Sequence, residues 1–284
     1  MIIVRHGEIF TKSPPVRKRF ISQLARNLRM VLPEAKVSNL YWRIAVYVEN
    51  YELALKSIGR VFGVTTYSQC TVVEANLDLI TAACMQYESD VGKAETFAVN
   101  TQRLSKEMEM TSPEISRHVG GALKDLTNTK VDLKNPGFEI KIEIYKGKAY
   151  ISTQSFKGLG GLPMGTGEHA AALLDNENDA LAALLVMKRG ALPVFYAKNR
   201  KPALEASVNN YMNGHKIDVH GYSDLADVKQ TRLGTLVSGA SDLQTYSRIK
   251  NGSGKLVLAP LLGLGKEQLD YFKKLFELSA SGSN

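Results

Sequence analysis

Cysteine is scarce in this chain, since its 284 residues include only Cys70 and Cys84. Neither thiol belongs to a C-x-x-C pair or lies near a histidine cluster, so the sequence does not support a zinc site. The histidines show no metal-ligand spacing, although His215 and His220 could be near one another; they are His6, His118, His169, His215 and His220. We therefore expect no metal site, and two reduced, partly buried thiols rather than a disulfide.

Long apolar runs are also missing. No stretch approaches the roughly 18 residues that a membrane-spanning helix needs. Met1 leads directly into the strand-like run Ile2–Arg5 and not into a signal peptide. A hydrophobic content of 44% and a mean hydropathy of −0.15 are typical of soluble globular proteins. We expect a soluble, cytoplasmic protein.

The chain does have an excess of positive charge. It carries 36 lysines and arginines against 28 aspartates and glutamates, for a net charge of +8 and a pI near 9.3. A basic balance suggests a polyanionic partner such as nucleic acid, although a modest excess is also common in proteins that bind nothing charged. The length of the chain allows two or three domains.

Residues 1–62 alternate strand and helix patterns. The patterns predict strands at Ile2–Arg5 and 41–48, and helices at Val16–Val31 and Tyr51–Gly59. This order in so short a piece predicts a small ferredoxin-like α+β unit.

Residues 63–163 have an order of their own. We predict helices at Asp78–Met85 and from Thr111 to about Asp125, and strands at Thr96–Leu104, Phe138–Tyr145 and Lys148–Thr153. Thr111 can cap the second helix and Glu114 favours its positive end. Lys146-Gly147 is a hairpin signal between the last two strands.

Residues 168–284 follow the glycine-rich segment Phe156–Gly167, which we interpret as a hinge. Strand and helix patterns alternate in the order that predicts a parallel sheet covered on both faces. The strands are predicted at 169–174, 192–197, 216–220, 233–238 and 255–258, and the helices at 180–189, 202–213 and 266–278.

The most informative turn follows the strand at 169–174. Strand–loop–helix turns in α/β proteins hold phosphate on backbone N–H groups at the helix N-terminus. Such loops use glycines and small hydroxyl residues, whereas this loop reads Asp175-Asn176-Glu177-Asn178-Asp179. Three carboxylates and no glycine stand where a phosphate would sit. The sequence therefore predicts a retained frame without phosphate-binding chemistry.

Several phrases, taken in order, resemble the tRNA 4-thiouridine synthetases, which are tRNA sulfurtransferases that also serve thiamine biosynthesis. The matching phrases are Met1–Ile9 with its Arg-x-Gly-Glu, Thr111–Arg117 with Val119-Gly120, Val131–Pro136, Gly160–Gly165, Leu185–Gly190, and Pro260–Leu264 with Lys266-Glu267. The resemblance implies an α/β and α+β chain of three parts. These are a ferredoxin-like N-terminal domain at 1–62, a THUMP RNA-binding domain at 63–163, and a reduced, Rossmann-like PP-loop ATP-pyrophosphatase domain at 168–284.

The chain departs from this family at the loop. Active members carry Ser-Gly-Gly-x-Asp-Ser, and counting back from Gly190 places other residues there: Leu174, Asp175, Asn176, Glu177, Asn178 and Asp179. At an effective dielectric near 20, one carboxylate about 4 Å from a phosphate charge costs roughly 4 kcal/mol. The resemblance thus implies a degenerate nucleotide loop that does not bind ATP in the family's manner.

Sulfur chemistry is affected as well. The resemblance implies a catalytic cysteine late in the third domain of bacterial members, but this part of the chain has none, and a thiol relay needs a thiolate. Ser238–Ser241 with Gln244 resembles a further nucleotide motif, with Ala240 where the family carries Asp. We also expect active relatives to continue beyond the point where this chain stops. No catalytic residue is therefore assigned.

The RNA side of the resemblance is retained. Lysine and arginine contact phosphates in a salt-sensitive, sequence-independent manner, and in the family the first two domains together hold the tRNA acceptor end. Any single basic residue could instead belong to a solvated helix face, so the prediction concerns the set. Its members are Lys12, Arg17, Lys18, Arg19, Arg26, Arg103, Lys106, Arg117, His118 and Lys157.

We therefore expect a tRNA-binding relative without catalysis or cofactor, acting as an RNA-binding or accessory factor in tRNA modification. The alternative is an active tRNA sulfurtransferase or thiamine-pathway enzyme that uses ATP in a non-family manner, so enzyme activity stays open. A third reading is a partner-binding protein that has lost RNA affinity. The expected partner is tRNA, with a homodimer and a modification enzyme in trans as further candidates.

Overall fold

The computed structural model describes residues 1–40, 42–105 and 107–278. Within them the chain divides into two compact units. Unit 1 comprises Met1–Arg5, Glu34–Leu55 and Thr66–Lys157. Unit 2 comprises His6–Pro33, Lys56–Thr65 and the chain from Gly158 onward. Among the helices described, none is long and apolar enough to cross a membrane.

The N-terminal segment has the strand and helix order of a ferredoxin-like fold. Its elements are β1 (Ile2–Arg5), α1 (Pro14–Val31), β2 (Lys36–Leu40), β3 (Arg43–Tyr47), α2 (Tyr51–Gly59) and β4 (Thr66–Gln69). A 3-10 helix, Glu8–Thr11, precedes α1. The four strands pair antiparallel in the spatial order β4-β1-β3-β2. The predicted strand at 41–48 contains β3, and its first residue, Tyr41, lies outside the described residues.

The next segment forms a second sheet in unit 1. Its elements are β5 (Thr71–Glu74), α3 (Leu77–Met85), α4 (Glu88–Lys93), β6 (Thr96–Arg103), α5 (Ser112–Thr127), β7 (Lys130–Val131), β8 (Phe138–Tyr145) and β9 (Lys148–Ser152). The strand order is β5-β9-β8-β6-β7. The turn between β8 and β9 has Lys146 and Gly147 at positive φ, as a tight hairpin requires. A short strand, β10 (Phe156–Lys157), then pairs with β4 at the edge of the first sheet.

A buried carboxylate joins the two sheets of unit 1. Glu143 in β8 accepts hydrogen bonds from the guanidinium of Arg5 in β1 and from Nε of Arg43 in β3, the latter at 2.6 Å. Arg43 also donates to Oε1 of Gln102 in β6 at 3.1 Å. An apolar cluster that includes Met1, Ile3, Ala45, Cys70 and Tyr150 accompanies these bonds. The two sheets are therefore fastened by charge as well as by packing.

The C-terminal segment, in unit 2, alternates strand and helix. Its elements are β11 (His169–Leu173), α6 (Glu177–Met187), β12 (Leu192–Ala197), α7 (Pro202–Asn209), β13 (Val219–Gly221), α8 (Leu225–Lys229), β14 (Thr235–Val237), α9 (Leu243–Ser253), β15 (Leu256–Leu258) and α10 (Lys266–Leu275). All neighbouring strands pair parallel, in the order β13-β12-β11-β14-β15. Apolar clusters lie on both faces of the sheet. The predicted fold class is confirmed.

Helix α1 and the chain after α2 pack within unit 2. The side-chain amide of the buried Asn27 in α1 donates to the carbonyl oxygen of Met164 at 3.0 Å. Asn213 accepts the backbone N–H of Phe62 at 3.2 Å. In the glycine-rich segment, the N–H of Gly63 donates to the carbonyl oxygen of Gly160 at 2.8 Å. The function of that segment as a hinge stays a prediction.

Candidate functional site

The turn between β11 and α6 lies at the carboxyl edge of the parallel sheet. β11 has β12 on one side and β14 on the other, so the connections reverse direction here. Strand ends open a crevice at such a switch point, where α/β proteins bind ligands. α6 begins at Glu177 behind the N-cap Asn176, whose side chain accepts the backbone N–H of Asp179 at 3.1 Å. The strand–loop–helix frame that the sequence predicts is present.

The carboxylate of Asp179 fills the hydrogen-bonding positions of this turn. Asp179 is 4% exposed. Its Oδ1 accepts the backbone N–H of Gly239 at 2.7 Å, and its Oδ2 accepts the backbone N–H of Asp175 at 3.2 Å and the side-chain amide of Asn176 at 2.8 Å. Backbone N–H groups at strand ends are the donors that hold phosphate oxygens. Here the chain's own carboxylate satisfies them.

A second carboxylate, that of Asp175, bonds toward the other side of the sheet. It accepts the backbone N–H of Lys198, just after β12, at 2.7 Å, and the hydroxyl of Tyr222, just after β13. Burial and then this hydrogen bond raise the pKa of Tyr222, so the phenol stays a donor. Asp175 therefore links the ends of β11, β12 and β13, while Asp179 links β11 to β14.

Gly239 brings the chain after β14 into direct contact with the turn. A Cβ at this position would lie 2.3 Å from the carbonyl carbon of Asn178 and 2.4 Å from the backbone nitrogen of Asp179. Both distances are far below van der Waals contact. Only glycine fits here, because the two backbones leave no room for a methyl group.

A cleft of about 750 Å³ opens beyond the turn. Its charged lining residues are Asp175, Asp179, Asp224, Asp242, Lys198, Lys201 and Arg248. Two other helices that begin at this cleft carry acidic caps. Asp224 accepts the N–H of Ala226 at 2.9 Å in α8, and Asp242 accepts the N–H of Thr245 at 2.8 Å in α9. Carboxylates thus occupy the start of α6, α8 and α9, where a phosphate would need free N–H donors.

Replacing Asp179 by alanine is expected to lower the free energy of unfolding by about 1–3 kcal/mol, because two buried N–H groups lose their acceptor. The Asp179→Asn variant keeps an oxygen acceptor and removes the charge. Burial raises the pKa of the Asp179 carboxyl, so the stability it contributes is largest below its ordinary pKa and falls as pH rises through the raised value. Urea unfolding of the wild-type protein and of the Asp179→Asn variant is measured at about pH 3.5 and about pH 7. The wild type should lose stability relative to the variant as pH rises. A pH-independent difference would contradict this assignment.

The predicted RNA-binding residues of unit 2 lie on and before α1. Lys18, Arg19 and Arg26 are exposed, whereas Lys12 and Arg17 are half-buried. Nη2 of Arg17 donates to the carbonyl oxygens of Phe10 at 3.1 Å and Lys12 at 2.9 Å, so this guanidinium closes the loop before α1. No acidic residue occurs in the 18 residues of α1.

The remaining predicted residues belong to unit 1. Arg117, His118 and Lys157 are exposed. Arg103 is half-buried and donates to the carbonyl oxygens of Met108 and Met110 at 2.8 and 2.7 Å, so it holds the loop before α5. Lys106 lies outside the described residues. RNA contact by these residues stays a prediction.

A cleft in unit 1 places Lys124, which the sequence analysis did not select, beside the predicted RNA-binding residue Arg117. The cleft measures about 590 Å³, and Arg117 and Lys124 of α5 both line it. Lys124 follows Arg117 by seven residues, which is the spacing of one helix face. The seven-residue spacing is visible in the sequence and could have identified Lys124.

Both cysteines are buried and free of disulfides. Burial raises the pKa of Cys70 to about 11 and that of Cys84 to about 12. Such thiols stay protonated and do not act as nucleophiles at neutral pH. Among the described residues, no group of three metal-ligating side chains comes together.

Comparison with known proteins adds two domain matches. Residues 1–68 match the ThiI ferredoxin-like domain, and residues 74–154 match the THUMP domain. Probable tRNA sulfurtransferases are similar in sequence. That of Staphylococcus epidermidis is 33% identical over 66% of this chain and 48% of its own length, and that of Methanocaldococcus jannaschii is 32% identical over 68% and 54%. The chain is a THUMP-containing relative of the tRNA sulfurtransferases.

Two crystal structures share the fold of this THUMP-containing relative. PH1313 from Pyrococcus horikoshii Ot3 has a TM-score of 0.84 at 29% identity, over 97% of this chain and 99% of that one. A 4-thiouridine synthetase in complex with RNA and with bound ATP has a TM-score of 0.81 at 20% identity, over 99% and 86%. The resemblance and the ferredoxin-like and THUMP parts are confirmed. The chain spans about half the length of the curated relatives it matches.

Proposed function

We propose that this THUMP protein binds tRNA and does not activate it with ATP, acting as an RNA-binding or accessory factor in tRNA modification. The observation that carries the proposal is the carboxylate of Asp179, which accepts the N–H groups of Gly239 and Asp175. These are the donors that a bound phosphate would require. Because the chain satisfies them itself, a nucleotide gains nothing from the turn.

Electrostatics supports the same conclusion. A phosphate entering the turn would meet the carboxylates of Asp175 and Asp179, and one such charge at about 4 Å costs roughly 4 kcal/mol at an effective dielectric near 20, before any attraction by Lys198, Lys201 and Arg248 of the same cleft. That is about a thousandfold in affinity.

Three features support the proposed RNA function. The chain matches the THUMP domain over 74–154, its relatives are named as tRNA sulfurtransferases, and exposed basic residues lie on α1 and α5. Phosphate contacts by such residues give affinity that falls steeply with salt. We propose the predicted basic set, including Lys106, as the phosphate contacts.

The proposal is tested with labelled ATP, magnesium and whole tRNA. We expect no adenylated tRNA and no release of pyrophosphate above the background without protein. A clear RNA-dependent signal would overturn the proposal. The matched control is the Asp179→Ala variant, which should also be inactive because removing one carboxylate does not create a phosphate loop.

The second candidate is an active tRNA sulfurtransferase or thiamine-pathway enzyme that holds ATP in another way. The names of its relatives and the open cleft of about 750 Å³ favour it. The same assay separates the two candidates, since only the second predicts pyrophosphate release.

A further inference from the structure

The exposed face of α1 is strongly basic. Lys18, Arg19, Arg26 and Arg29 are exposed along successive turns of this helix, and no acid interrupts them. The opposite face is apolar and buried, with Phe20, Ile21, Leu24 and Leu28 as its main residues. α1 therefore presents a cationic stripe about three turns long.

A loop of the C-terminal segment packs directly on α1. A Cβ at Gly214 would lie 2.7 Å from the Cβ of Met30 and 2.9 Å from its carbonyl oxygen, so the loop and the last turn of α1 are in close contact. Gly214 has a φ of +80°, which suits glycine at this approach. The next residue, His215, is therefore held beside the last turn of α1, where Met30 lies one helical turn after Arg26.

Two other basic residues act electrostatically on His215. Burial, and then the positive charges of Arg26 and His169, lower the pKa of His215. His169 is exposed at the first residue of β11, and Lys216 is exposed next to His215. Nε2 of His215 has no hydrogen-bond partner among the described residues.

Two acids lie close in sequence to these residues, Asp218 and Glu168. Asp218 is bound to Nε2 of His220 at 3.0 Å. Glu168 precedes His169 and is exposed, so solvent screens the charge of its carboxylate. Because the lowered pKa leaves the His215 imidazole uncharged at neutral pH, the positive charge at this place comes from Arg26 and Lys216. The unpartnered Nε2 edge of His215 lies with them, which makes the place a candidate phosphate contact.

We propose that the exposed face of α1 together with His169, His215 and Lys216 forms one RNA-binding surface that contacts the phosphate backbone. We call it the amino-edge surface, because His169 begins β11. This inference rests on the proposed tRNA binding and extends it to the C-terminal segment. That segment then binds RNA at the edge of the sheet opposite to the cleft beyond the β11–α6 turn.

The test uses residues that are exposed and whose replacement should leave the fold intact. The double variant His169→Glu with Lys216→Glu is titrated with whole tRNA at several salt concentrations. We expect about tenfold weaker binding and a salt slope reduced by about 1 to 2, as loss of one or two phosphate contacts predicts. The milder pair His169→Gln with Lys216→Gln should change affinity in the same direction and serves if the first variant unfolds.

Two controls separate the inference from the proposed function. Lys266→Glu changes an exposed lysine at the start of α10 that is not part of this surface, and it should alter affinity less than twofold. Arg117→Glu, in the cleft of unit 1, should weaken tRNA binding. If Arg117→Glu weakens binding while both double variants keep wild-type affinity and salt slope, the amino-edge surface is wrong and tRNA binding stands. If the wild-type protein binds no tRNA, both proposals fail.

Discussion

Replacing Glu143 by alanine is expected to lower the free energy of unfolding by about 3–5 kcal/mol, the largest effect of any single change considered. The carboxylate is 7% exposed and pairs with the guanidiniums of Arg5 and Arg43, which are themselves 16% and 15% exposed. Removing it leaves two half-buried cations without a counter-charge. Urea unfolding, followed by circular dichroism, measures the loss.

An exposed ion pair of the same unit is the matched control. Glu74 pairs with Lys148, and their side chains are 62% and 47% exposed. Glu74→Ala should cost less than about 1 kcal/mol, because solvent screens such pairs. Equal losses for the two variants would show that Glu143 does not fasten the sheets.

The same carboxylate should control the acid stability of unit 1. Burial alone would raise the pKa of Glu143, but the charges and hydrogen bonds of Arg5 and Arg43 outweigh it and lower the pKa. Its stabilising contribution is therefore present above its ordinary pKa and is lost as pH falls through the lowered value. The Glu143→Gln variant should lack this acid-dependent component.

Replacing Gly239 by alanine is the second change with a large expected effect. The added methyl would meet the backbone of Asn178 and Asp179 at 2.3 and 2.4 Å, so either the end of β14 or the turn must move. Overpacking of this kind costs about 1–3 kcal/mol, and displacement of Asp179 from the N–H of Gly239 adds the loss of a buried hydrogen bond. Thermal or urea unfolding measures the sum.

Gly221→Ala is its control. Gly221 ends β13, is exposed, and has no atom within 4 Å of the position a Cβ would take. We expect a change within about 0.5 kcal/mol. A Gly239→Ala variant as stable as Gly221→Ala would mean that the turn is not packed against β14 as described.

The elements with strong periodicity or clear caps were predictable from sequence. α2, β8 and β12 have the predicted bounds, and α5 begins with the capping box of Thr111 and Glu114. β2, β4 and β5 were missed. Only Val37 of β2 is buried, and β4 and β5 are four residues long. The apolar signal of these strands is therefore weak, and pairing with neighbours decides their structure.

The roles of charged residues were harder to predict. The sequence predicts that Asp175 and Asp179 stand in place of a phosphate loop, but it does not identify their hydrogen-bond partners. Their partners Tyr222 and Gly239 lie 47 and 60 residues away, and only the order of strands brings them near. The same holds for Arg5 and Glu143, which are 138 residues apart. Contacts of this range follow from topology and leave no local pattern.

The most direct test of this account is calorimetric titration of the wild-type protein with whole tRNA, with and without magnesium and ATP. The account predicts tRNA binding that weakens steeply with salt, no heat of ATP binding, and a tRNA affinity that ATP does not change. Saturable ATP binding at micromolar concentration, or a tRNA affinity that depends on ATP, would contradict the claim that the Asp179 carboxylate occupies the phosphate-binding donors of the turn.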